Sequence, residues 1–179
     1  MTSSTRPWSV PVRLDEIPET GLHVDLEADQ GVRTAIATAA AVNDVPQLVA
    51  GFDVSRHGRD ALRVVGTISA RVCQTCVVTL DPIENEIEEN VDLVFAPPSA
   101  LGPMADEVNL GVEALEPPEP LVDGVVDLGA VAAEFLVLAI DPYPRKPGAV
   151  FEPPRSADAG AHPFAALAAL RSGRDRGGS

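Results

Sequence analysis

Two groups of side chains have types and spacing that could do chemistry, and both lie in residues 71–95, RVCQTCVVTLDPIENEIEENVDLVF. Cys73 and Cys76 form a C-x-x-C that could ligate a metal or exchange a disulfide. Glu84, Glu86, Glu88 and Asp92 recur at even spacing and could move protons or attract cations. A structural zinc site takes four ligands, whereas this chain has one cysteine pair and His23, His57 and His162 scattered without ligand spacing. A redox C-x-x-C places its first thiol at a helix N-terminus, and VVTLDP is a poor helix start. Packing is the simplest role for the two thiols, zinc a minor alternative and redox exchange a lesser one, so no cofactor is expected. G-x-S-x-G, a phosphate-cradling loop and a dinucleotide fingerprint are all missing, and carboxylates alternating along a strand read as a solvated face rather than an acid/base couple. The expectation is a protein without enzymatic activity.

The elements that hold these residues follow from period-2 patterning. Leu62, Val64, Ile68, Ala70 and Val72 alternate with Arg63, Thr67, Ser69 and Arg71, which predicts a strand with one buried face over 61–72. Ile83, Ile87, Val91, Leu93 and Phe95 alternate with the carboxylates and predict its antiparallel partner, joined to it by a cysteine knuckle and Asp81-Pro82. Arg63 and Arg71 are then placed to meet the carboxylates across the sheet. Upstream, 9–14 and 21–27 read as strands, Asp29 as the cap of a helix to about Val42, and 47–55 as a strand ending in a hairpin turn at 56–59. Val32, Ile36 and Ala39/Ala40 form the stripe of that helix. Asp127 caps a second helix with the stripe Leu128, Val131, Phe135 and Leu138, widened by Ala132, Leu136 and Ala139 and stopped by Asp141-Pro142-Tyr143-Pro144.

The fold expected is α+β: a curved antiparallel sheet of about five or six strands covered by two helices, in one domain over 1–141. Within it, 96–126 is rich in Pro and acids and reads as a long mobile loop. Residues 142–179 read as a flexible Pro/Ala-rich tail with a short apolar motif at 163–170, in which Phe164 and Leu167 could dock on the parent domain or on a partner.

Charge is distributed unevenly. Of 27 acidic residues, fifteen lie in 72–144, where there is no Lys, Arg or His; the rest of the chain is nearly neutral. Such a block repels phosphate and attracts basic partners. One Trp and one Tyr make no stacking platform for nucleic acid. Arg145 and Lys146 open the more basic tail, a conceivable phosphate contact. No apolar run approaches the roughly 20 residues of a membrane span, and the first residues lack a secretory apolar core, so a cytoplasmic protein is expected.

In collinear order, CQTCVVTLDP with its alternating acids, VDLGAVAAEFLVLAIDPYPRKPGA, and PFAALAAL resemble the YceD-like family of bacterial and plastid factors, in a form like its alphaproteobacterial branch. The resemblance implies a role in the synthesis, processing or stability of large-subunit (23S) ribosomal RNA. Some members carry a second cysteine cluster after the last helix. Here that region reads DPYPRKPGAVFEPP, so the resemblance transfers no four-cysteine site to Cys73 and Cys76. Combined with the charge, it implies a non-enzymatic factor that binds a basic ribosomal protein or pre-50S particle through Glu84, Glu86, Glu88 and Asp92, with ribosomal RNA near the basic tail. The rivals are an RNA-processing enzyme using the carboxylates and a thiol- or metal-dependent regulator.

Overall fold

A computed structural model of the 179-residue chain describes residues 7–98 and 117–151. Seven strands and two α-helices follow the order β1 (Pro11–Arg13), β2 (Leu22–Glu27), α1 (Gln30–Ala39), β3 (Asp44–His57), β4 (Ala61–Thr75), β5 (Pro82–Ala96), β6 (Glu119–Pro120), β7 (Val125–Asp127) and α2 (Leu128–Ala139), with a 3-10 turn at Leu14–Glu16. The main sheet has the order β2-β3-β4-β5-β6, and β1 pairs with β7 in a separate two-stranded sheet. The class is α+β, as the patterning predicts. From β2 to β5 the ladder is antiparallel, while β6 adds in parallel at Phe95 and Ala96, making the sheet mixed. Two units are distinguished along the chain, Met1–Pro147 and Gly148–Ser179; of the second, only 148–151 are described.

The long hairpins β3–β4 and β4–β5 are the backbone of the fold. Their inner face carries Leu48, Ala50, Phe52 and Val54 from β3, Leu62, Val64, Ile68, Ala70 and Val72 from β4, and Val91 and Phe95 from β5, all buried. Ile36 and Ala37 of α1, Leu128, Val131, Ala132 and Leu136 of α2, and Trp8, Ile17, Leu121 and Val126 complete this core. Burial of each large aliphatic side chain contributes about 1.5–3 kcal/mol. Gly66 stands opposite Phe52 in the ladder, and a Cβ there would lie 2.6 Å from the Phe52 ring and 2.1 Å from the Gly51 carbonyl oxygen. Only a residue without a side chain lets the two strands close at that point.

Both helix caps form as expected: Asp29 accepts from the Val32 N–H at 2.9 Å and Asp127 from the Ala130 N–H at 3.2 Å. Helix α1 stops at Ala39, earlier than expected, because Ala41 turns left-handed (φ 54°). Its buried stripe uses Ala37 where Ala39 was expected; Ala39 is exposed. Strand β3 begins at Asp44 and absorbs Pro46 in an irregularity between Asp44 and Gln47, where no ladder bond is needed from the proline. In α2 the stripe is centred on Leu128, Ala132 and Leu136, so Leu138, about 200° round the helix from Leu136, is 76% exposed. Part of the stretch expected as loop is ordered: β6 and β7 flank Leu121, whose burial anchors them. Among the described residues no helix is long and apolar enough to cross a membrane.

Candidate functional site

Strand β5 turns alternate side chains to opposite faces. Ile83, Ile87, Val91, Leu93 and Phe95 face the core side, and Glu84, Glu86, Glu88 and Asp92 stand exposed on the outer face. Uninterrupted register against β4 sets their partners. Arg71 lies directly opposite Glu86, its Nε 3.4 Å from that carboxylate and 3.9 Å from Glu84. Arg63 grips Asp92 with two bonds of 2.9 and 2.7 Å, which hold the carboxyl below the usual Asp range. Glu88 has no cation within ion-pair reach among the described residues. Ser69 stands across from it, and both line an open cavity of about 420 Å3 with Gln47, Arg71 and Glu86. Such exposed pairs contribute under about 1 kcal/mol each, so the row keeps most of its capacity for an external cation.

At the end of the same hairpin the two cysteines separate. Cys73, half-buried, is opposite Glu84, with Sγ 3.9 Å from Oε2; desolvation and then the Glu84 charge push its pKa up. Cys76 is buried and begins the turn. Its N–H donates to the Asp81 carbonyl, its carbonyl accepts from the Leu80 N–H, and Leu80 closes the turn in the left-handed region (φ 61°). The Cys76 sulfur accepts N–H bonds from Lys146 at 3.3 Å and Thr79 at 3.5 Å. These donors, the Lys146 amide foremost, lower its pKa to about 6. The acidic surroundings therefore raise only the first thiol. Lys146 also places its Nζ 3.1 Å from Asp81, and the Val77 N–H donates to the Pro144 carbonyl at 3.0 Å. The segment following α2 is thereby stapled to the knuckle. Among the described residues no three His, Cys, Asp or Glu side chains gather to hold a metal.

The structure brings six of the residues singled out from sequence to one end and edge of the sheet. Glu84, Glu86, Glu88 and Asp92 run along β5, Lys146 is docked on its leading turn, and Arg145 shares with Glu86, Ile87, Ala139 and Pro144 a cleft of about 270 Å3. Phe164 and Leu167, and the whole 163–170 motif, lie outside the described residues. Two features were missed. Buried Gln74 donates to the Asp141 carbonyl at 2.8 Å and accepts from Asn85 at 3.0 Å, tying β4, β5 and the end of α2 together. His23 bonds Asp53 at 2.8 Å and Asp25 at 3.2 Å on the outer face, and Asp53 above all raises its pKa. The alternation of His23 and Asp25 within 22–27 was the available signal for the second; nothing local announced the first.

No curated protein and no solved structure matches this chain. A family described as large ribosomal RNA subunit accumulation protein YceD matches residues 64–171, which takes in β4 from Val64 onward, the cysteine knuckle, the carboxylate strand and α2. That match covers more than half of the sequence, and the chain belongs to the YceD family of large ribosomal RNA subunit accumulation proteins.

Proposed function

We propose that this protein is a non-enzymatic, cytoplasmic factor of large-subunit ribosome biogenesis that supports 23S rRNA by binding a basic ribosomal protein or a pre-50S particle. The observation that carries the reading is the row Glu84, Glu86, Glu88 and Asp92 on an exposed sheet face, only partly neutralised by Arg63 and Arg71. An open, regularly spaced row suits recognition of a cationic surface and gives no enclosure for bound substrate. Cys76 is fully buried in the turn, which supports a structural role rather than thiol exchange with another protein. Arg145 and the basic tail supply the contact with ribosomal RNA in this reading.

The test is capture of the tagged protein from native lysate, with and without RNase, with RNA and proteins identified. Large-subunit proteins retained after RNase, and lost from the E84Q/E86Q/E88Q/D92N variant in a salt-sensitive way, support the reading. Retention by that variant at wild-type level rejects it.

A further inference from the structure

Among the described residues, the carboxylate row coincides with a long sheet edge that no other strand pairs. Strand β5 is paired with β4 along its whole length, but on its other side β6 meets it only at Phe95 and Ala96. Over 82–94 no strand among the described residues occupies that side. The direction of the backbone groups follows from bonds at the two ends. Leu121 N–H donates to the Ala96 carbonyl on the β6 side, whereas the Asp81 carbonyl accepts from Cys76 on the β4 side. On the far side of β4, the Cys73 carbonyl accepts from the Asn43 N–H, so odd-numbered residues of β4 point to β3 and even-numbered ones to β5. Their partners on β5 are odd-numbered: Ile83, Asn85 and Ile87. In an antiparallel ladder without bulges this alternation persists. The free edge therefore presents the N–H and C=O groups of Glu84, Glu86, Glu88, Asn90 and Asp92.

We infer that β5 is a docking edge that receives an extended basic strand by β-strand addition, with alternating Lys or Arg side chains facing Glu84, Glu86 and Glu88. The inference rests on the partner-binding function proposed above and specifies its geometry. A residue paired through both backbone bonds with an edge glutamate puts its side chain on the same outer face, so the main-chain bonds and the charge pairs select the same register. The intervening side chains of the added strand point to the core side, beside half-buried Ile83 and Ile87 and toward the cleft with Ala139 and Pro144. Small β-branched residues suit those positions.

Charge selects the occupant. A second copy pairing through β5 would set glutamates against glutamates. Residues 99–116 contain Asp106, Glu107, Glu113 and Glu116 and no Lys or Arg, which gives them the wrong sign. The chain's own end, RSGRDRGGS, is basic but lacks the alternation of charge and strand-forming residues. A basic strand from another protein has both the sign and the period.

The experiment uses the full chain and an alternating Lys-Val heptapeptide beginning and ending in Lys. Two controls have the same charge: one is N-methylated on the Lys backbone amides, which face β5 in the inferred register, and the other on the Val backbone amides, which face away. The unmodified and Val-methylated peptides are expected to bind in a salt-sensitive way, and the Lys-methylated peptide at least about tenfold more weakly, since several main-chain bonds are lost. Hydrogen exchange should slow at the amides of Glu84, Glu86, Glu88 and Asn90, and not at Asn85 or Ile87, which β4 already protects. Asn90→Pro removes one edge N–H without changing charge or a main-chain bond to β4, losing with it only the exposed side-chain bond from the Thr67 hydroxyl at 3.2 Å, and should weaken binding. Its thermal unfolding reports whether it folds, and the exchange pattern stands without it. Equal binding of all three peptides, or protection absent from the even-numbered amides, overturns the inference. If large-subunit proteins are still captured through the carboxylates in that case, the strand-addition geometry alone has failed. If that capture is also lost, the function itself has failed.

Discussion

Arg71 and Glu86 stand directly opposite each other across β4 and β5, with Nε 3.4 Å from the carboxylate. The carboxylate row is therefore graded: Glu84 and Glu86 share one guanidinium, Asp92 is held by Arg63, and Glu88 has no cation among the described residues. A carboxylate already paired loses its present partner when it engages a new one. Glu88→Gln is accordingly expected to weaken association with a basic partner several-fold, and Asp92→Asn by less, in line with exposed charge pairs of about 0.2–1 kcal/mol. Isothermal titration of both variants at low salt ranks them; an equal or reversed order contradicts the grading.

Lys146 acts on the knuckle through two separate groups, its amide on Cys76 and its ammonium on Asp81. Lys146→Ala keeps the amide and should leave the Cys76 pKa near 6, while Lys146→Pro removes the donor and should raise it toward the ordinary thiol value. Thiolate absorbance against pH reads both.

The same sulfur makes stability depend on pH. A thiol whose folded pKa is lowered to about 6 stabilises the fold fully above its unfolded pKa of roughly 8.5 and loses that contribution as pH falls through 6. Between pH 6 and 9 the protein should therefore gain melting temperature, and Cys76→Ser should flatten the gain. Chelator should leave melting unchanged; a chelator-induced drop would show a metal at the knuckle and contradict a purely structural role for the thiols.

His23 works in the opposite sense. Its folded pKa is raised by Asp53 and Asp25, so its contribution is complete below the ordinary imidazole pKa and fades as pH rises through the raised value. His23→Gln should remove that decline, with nuclear magnetic resonance of the imidazole protons locating the titration.

Gly66→Ala forces a methyl against the Gly51 carbonyl and the Phe52 ring. Overpacking of this kind costs about 1–3 kcal/mol, and contact with backbone puts this site at the upper end. Urea unfolding should show a lower midpoint with little change in slope.

Local periodicity made much of this legible. The alternation in β4 and β5 predicted their faces and the Arg–carboxylate pairing, and Asp29 and Asp127 announced both helices. Long-range features were not. Neither DPYPRKPG nor CQTC states that the Lys146 amide will reach the Cys76 sulfur, because 70 residues of chain separate the two. Residues 119–120 and 125–127 are too short to carry a period, and only the burial of Leu121 and Val126 shows why they are strands. Leu138 looked like stripe because spacing alone cannot say where the centre of an apolar arc lies on a helix as hydrophobic as α2. The free edge of β5 required the backbone direction, which no side-chain pattern encodes.

The most direct test of the account is whether the carboxylate row is needed for large-subunit RNA. In cells depleted of the protein, the ratio of 23S to 16S rRNA is measured after supplying either the wild-type chain or E84Q/E86Q/E88Q/D92N, each shown to fold by its melting curve. The account predicts that the wild type restores the ratio and the charge variant does not. Full restoration by the charge variant would contradict it.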